Sequence, residues 1–206
     1  MAGSIAFAGP SARAGDETGD GCVSSQELVD ALQNVEGSLA EDAFAPAATF
    51  TSPVSGTDGS EVSSMDGETD PVTLEIEIEI PEVAAEGVTM SVGEFNLGIS
   101  LPNADKAARG ESVADGIVTF PAEGASANAV IPTDRGVQLL TIIGSEDAPE
   151  TYDYDLSLPA GHRLEATADG GARIVDEGDR TKVEFETAWA QDAASVNVPT
   201  RYSLLG

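Results

Sequence analysis

Between Pro71 and Pro81 the chain alternates without a break. Val72, Leu74, Ile76, Ile78 and Ile80 take one parity; Thr73, Glu75, Glu77 and Glu79 take the other. Successive side chains of a strand point to opposite faces, so this segment sets five apolar residues on one side and three carboxylates on the other. A sheet with one covered face and one wet face accommodates it.

The same periodicity recurs downstream. Val88, Met90 and Val92 alternate on even numbers, then Phe95, Leu97, Ile99 and Leu101 on odd ones. A bulge or tight turn at Gly93 restores one buried face across that parity flip. Further strands are expected over 116–120, 126–131, 137–143, 151–158, 162–167, 172–176, 181–188 and 200–205. Asp169-Gly170 and Glu177-Gly178-Asp179 are turn signals between them. Many short strands separated by Gly, Pro and Asp predict a mainly β protein, an antiparallel β-sandwich over 71–206. Residues 200–205 have no later strand to pair with, so the sheet is expected to end one strand short.

The preceding residues read differently. Ile5-Ala6-Phe7-Ala8 is a short apolar run, and Ala12-Arg13-Ala14 follows Pro10 as an A-x-A cleavage pattern. Residues 1–14 are therefore read as the back end of an export signal without its basic front, with a mature start at Gly15. Residues 15–44 are expected to hold one short N-terminal helix. Over 24–40, Leu28, Val29, Leu32, Val35 and Leu39 recur at three- and four-residue steps, and Ser24 with Glu27 has capping-box spacing. Residues 45–70 are rich in Ser, Thr, Gly, Asp and Pro and are expected to be a disordered, flexible linker.

Asp and Glu number 37 against 9 Lys and Arg, for a net charge of −28 at pH 7. Such a surface cannot displace counterions from phosphates, which excludes a nucleic-acid backbone binder. The same charge opposes attraction to anionic lipid. It favours a hydrated, soluble surface whose self-repulsion salt screens. One Cys allows no intramolecular disulfide, and no apolar run is long enough for a membrane-spanning helix.

One spacing points to a ligand. Asp16, Thr18, Asp20, Gly21, Cys22, Val23, Ser24 and Glu27 resemble a calcium-binding EF-hand loop. The resemblance implies ligands from Asp16, Thr18, Asp20, the Cys22 carbonyl, Ser24 and a bidentate Glu27. Thr18 stands where Asp or Asn is usual, no entering helix precedes Asp16, and no second loop is available for pairing. Helix capping by Ser24 and Glu27 is the competing reading.

Catalytic patterns are sparse. Gly124-Ala125-Ser126-Ala127-Asn128 begins like a nucleophile elbow but lacks its final Gly and lies among strands. His162 falls in a Pro159-Ala160-Gly161 turn. No catalytic residue is assigned. The sole Trp, Trp189, is expected to be a core aromatic at a sheet edge.

The segment Thr187-Ala188-Trp189-Ala190-Gln191-Asp192-Ala193, followed by Val198-Pro199-Thr200-Arg201-Tyr202, resembles a group of exported actinobacterial proteins of unknown function. The likeness extends over about residues 85–206, taking in Ala125–Asn128, Val137–Ile143, Tyr152–Pro159 and Asp169-Gly170-Gly171. It implies export, a β-rich module and a longer chain, with no catalytic residues. Relatives carry Pro where Ala188 stands. The combined expectation is an exported, non-enzymatic module with a structural or interaction role outside the cell, the N-terminal part of a longer secreted effector. An extracellular protein or cell-wall component is its expected partner. A calcium- or glycan-binding module and a secreted hydrolase are the alternatives.

Overall fold

A computed structural model describes residues 2–8, 22–23, 49–55, 73–113, 117–123, 126–133, 135–145, 148–192, 194 and 196–205. In 2–8, 22–23, 49–55, 73–75 and 123 the description is of the backbone. Among these residues the protein is mainly β and every strand pairing is antiparallel.

The largest sheet has seven strands. In spatial order they are β16 (Arg201–Leu205), β1 (Ala2–Ala8), β12 (Thr151–Ser157), β6 (Phe95–Ile99), β5 (Val88–Val92), β4 (Thr73–Glu79) and β3 (Thr49–Ser55). A four-stranded sheet runs β11 (Gly136–Ile143), β10 (Ser126–Thr133), β8 (Val118–Phe120), β7 (Glu111–Ser112). A three-stranded sheet runs β13 (Arg163–Ala166), β14 (Ala172–Val175), β15 (Thr181–Phe185), and β2 (Cys22–Val23) pairs with β9 (Ala122–Glu123). The helical elements described are two 3-10 turns, Ala84–Glu86 and Ala104–Lys106.

The alternation seen in the sequence builds this arrangement directly. Ile76 and Ile78 are buried while Glu77 and Glu79 are exposed; Tyr152, Tyr154 and Leu156 are buried while Asp153 and Asp155 are exposed. The parity flip is resolved by a two-residue turn: Val92 pairs with Phe95, and Gly93 takes φ 58. Glycine at the first position with positive φ suits the tight hairpin turn whose twist matches the strands. Asp169-Gly170 and Glu177-Gly178-Asp179 also form turns, with Gly170 at φ 94 and Asp179 at φ 60.

One hydrophobic cluster joins the layers. Ile78, Leu97 and Leu156 from the seven-stranded sheet share it with Phe120 and Val130 of the four-stranded sheet and Ile174 of the three-stranded one. This is the sandwich: one large sheet faced by two smaller ones. Each fully buried Leu or Ile contributes about 1.5–3 kcal/mol of transfer free energy. Strand β10 departs from alternation. It is buried from Ser126 to Pro132, because Ile117, Leu140 and Ile142 gather around Ala129 and Ile131 in a second cluster.

Three expectations meet different backbone paths. Residues 2–8, inside the segment read as a signal remnant, form β1 between β12 and β16. Arg201–Leu205, expected to lack a partner, pairs with it from Ser4–Leu205 to Ala8–Arg201. Residues 49–55, inside the segment read as a linker, form β3 along β4. The average composition of 45–70 hides the local Thr-Phe-Thr and Val, which suit a strand. Pro53 is tolerable there because β3 is an edge of its sheet. The helix expected over 24–40 and the rest of 45–70 lie outside the described residues.

Candidate functional site

The three-stranded sheet gathers basic residues among its carboxylates. Arg163, Arg173, Arg180 and Lys182, four of the nine basic residues, lie on it or in its turns. Cross-strand register sets Glu165 opposite Arg173. Glu165 accepts from Arg173 Nη2 at 3.1 Å and from Arg163 Nε at 2.9 Å. Arg163 also donates to the Asp176 carbonyl at 3.2 Å and to the Asp179 carboxylate.

Asp176, at the end of β14, is buried and central. Its Oδ1 accepts from the backbone N–H of Gly178 at 2.8 Å and of Arg180 at 3.0 Å. Its Oδ2 accepts from Arg180 Nε at 2.9 Å and lies 3.3 Å from Lys182 Nζ. The Arg180 backbone N–H, with the Arg180 and Lys182 side chains and the Gly178 N–H, holds this carboxyl well below the usual carboxylate range. Beside it an open cleft of about 330 Å³ is lined by Gly161, His162, Asp176, Glu177 and Arg180 among others. The His162 ring leans on Phe95, with centroids 5.2 Å apart, and its Nδ1 lies 3.2 Å from the Ala160 carbonyl.

A second polar group lies between the sheets. Tyr154 and Thr141 hydroxyls are 2.7 Å apart, Thr141 donates to Asn128 Oδ1 at 3.2 Å, and Asn128 Nδ2 donates to the Pro102 carbonyl at 2.7 Å. Ser126, the serine of the elbow-like motif, is 7% exposed and accepts from Asn103 Nδ2 at 3.4 Å. It starts a buried strand, so it does not stand on a strand-to-helix elbow. Tyr152 is 4% exposed, and its hydroxyl makes no hydrogen bond. Burial is the main reason its pKa is raised; the Ser126 hydroxyl, close by but outside hydrogen-bond geometry, opposes the shift.

The third feature is the segment after β15. Asp192 Oδ1 accepts from the backbone of Ala194 and Val196, each at 2.9 Å, and Val198 N–H donates to the Ala190 carbonyl at 2.8 Å. Thr187 Oγ1 anchors the segment to the Asp169 carbonyl at 3.3 Å. This braced loop displays Trp189, which is 41% exposed, and Val196. Trp189 is thus not the core aromatic expected. β15 ends at Phe185, and Ala188 is the residue that turns inward, 8% exposed.

Of the calcium-loop residues, Cys22 is placed in β2, where it pairs with Glu123. Asp16, Thr18, Asp20, Ser24 and Glu27 lie outside the described residues. Among the described residues no group of three His, Cys, Asp or Glu side chains is arranged to hold a metal ion. The Asp176 hub escaped sequence reading. Its signal was an Asp closing a strand, then a Gly-Asp turn, then basic residues at 180 and 182.

No protein-family model matches the chain, and neither does any curated protein or any solved structure.

Proposed function

We propose that this chain is an exported, non-enzymatic β-rich module with a structural or interaction role, working as the N-terminal part of a longer secreted effector. The observation that carries the interaction role is Trp189, 41% exposed on a loop braced at Asp192 while Phe120, Tyr152 and Tyr154 are buried. A large exposed aromatic on a loop held by hydrogen bonds suits a contact surface better than a solvated one. The likeness of about residues 85–206 to exported proteins supports a place outside the cell.

Two measurements test the reading. Immunodetection in the source organism should find the protein in medium or envelope fractions; recovery in cytosol alone overturns export. Retention on isolated cell envelopes should drop at least about tenfold in Trp189→Ala, the scale of one interface hot spot. Equal retention removes Trp189 from the interface.

Glycan binding is the second reading, favoured by Trp189 lying two residues from Gln191, whose amide pairs with Asn197. Because Trp189 is the sole Trp, its fluorescence should change saturably with wall oligosaccharides. An unchanged spectrum sets this reading aside. If calcium binds through Asp16, Thr18, Asp20, Cys22, Ser24 and Glu27, calorimetry should show one site that disappears in Asp16→Ala and in Glu27→Ala. Heat surviving both changes means diffuse acidic binding.

A further inference from the structure

Strand β16 meets the large sheet only through β1, so β12 and β16 flank a slot one strand wide. Residues 2–8 fill it, pairing with β12 over seven positions and with β16 over five. No tight turn ties β1 to either wall. Its partners lie near residues 151–157 and 201–205, and residues 9–21 separate it from β2, which belongs to another sheet.

The slot has a definite chemistry. Register sets Ile5 opposite Tyr154 and Leu204, and Phe7 opposite Tyr152 and Tyr202. Those four wall residues are buried or half-buried, so the inward face of the slot is apolar. On the other parity, Ser4 and Ala6 stand opposite the exposed Asp155 and Asp153. A carboxylate at position 4 or 6 would oppose a like charge directly, which destabilises a strand pair. The segment Ala2–Ala8 has no charged residue and places apolar groups at 5 and 7. That pattern matches the slot, and every copy carries it.

We propose that the slot between β12 and β16 is a strand-exchange site, filled in cis by residues 2–8 and in trans by residues 2–8 of a second copy. Reciprocal exchange then links two copies through sheet hydrogen bonds already made in one. The cis strand acts at the effective concentration of a tethered segment, so exchange grows as protein concentration approaches the millimolar range.

The test uses the full chain with Cys22→Ser to remove the native thiol. One tagged population carries Ile5→Cys and a differently tagged one carries Leu204→Cys, so a mixed disulfide forms only in trans. Opposed strand positions are close enough for this bond. The mixed dimer should increase at least about tenfold between about 10 µM and about 1 mM protein, and Phe7→Asp should abolish it. Pairing Ile5→Cys with Ser203→Cys, which lies on the other face, should give little. A chain carrying both Ile5→Cys and Leu204→Cys that closes only on itself at all concentrations overturns the proposal. So does the absence of both products. Should the substitutions impair folding, light and isotopically heavy copies of the unmodified chain serve instead. Native mass spectrometry should show mixed-mass dimers at high concentration, and their absence there overturns exchange.

Discussion

Tyr152 and Tyr154 lie two residues apart on one strand, on one face, and are equally buried. Their hydroxyls differ in one respect. Tyr154 has Thr141 at 2.7 Å, whereas Tyr152 has no hydrogen-bond partner. Replacing each by Phe removes one oxygen and leaves the ring packing in place. For Tyr154→Phe, the lost hydrogen bond is worth about 1 kcal/mol net. Thr141 keeps its bond to Asn128, so no orphaned hydroxyl adds to that cost. For Tyr152→Phe, a buried hydroxyl that gave up water without replacement is deleted, and burying such a group costs about 1–3 kcal/mol. The change should be neutral or stabilising by up to about 1 kcal/mol, since relaxation near Ser126 recovers part of that cost. The two variants should therefore differ by about 1–2 kcal/mol in opposite directions, a Tm gap of roughly 3–6 °C for a chain of this size. Urea melts at fixed ionic strength measure it. Equal destabilisation by both changes would refute the reasoning and mean that a trapped water satisfies Tyr152.

Gly171→Ala should destabilise by about 1–3 kcal/mol or more, because its Cβ would sit 2.4 Å from the Phe185 carbonyl oxygen across the β14–β15 pair; an unchanged urea midpoint would contradict this. Asp176→Asn should lower stability at pH 7, with the gap to wild type shrinking as pH falls below about 4, the ordinary carboxylate value. The sign follows from a folded-state pKa held down by the Arg180 N–H and its neighbours, whose contribution is present above that value and lost as pH falls. A gap constant from pH 7 to pH 2 would rule out the ionised carboxylate as its source. All three tyrosines have raised pKa values chiefly through burial, with Tyr202 pushed up to about 12. Their contribution is intact below about pH 10, the unfolded value, and is lost as pH rises from there toward 12. Absorbance at tyrosinate wavelengths should rise together with unfolding, and full ionisation of a still-folded protein at pH 10.5 would be the contrary result.

The sequence alone determined the alternating strands after Pro71 and their inner faces. From Leu74 to Ile80 and from Tyr152 to Leu158, the period of two leaves one consistent burial, since slipping by one residue would bury carboxylates. Turn chemistry at Gly93 and Asp169-Gly170 was equally local, because positive φ favours glycine at a few positions. Strand partnership was not local. Nothing in Ile5-Ala6-Phe7-Ala8 distinguishes an apolar export segment from a strand; the walls supplied by β12 and β16, far along the chain, decide its place. The same holds for Thr49–Ser55, whose pairing depends on the open edge of β4. Trp189 shows the limit most clearly. An aromatic near the end of an alternating run reads as core, but the strand stops at Phe185 and the hydrogen bonds of Asp192 fix a loop that turns Ala188 inward and Trp189 outward. The Asp176 hub depends on the same kind of information. Its partners are close in sequence, but only the closed hairpin brings two backbone N–H groups and two cations onto one buried carboxylate.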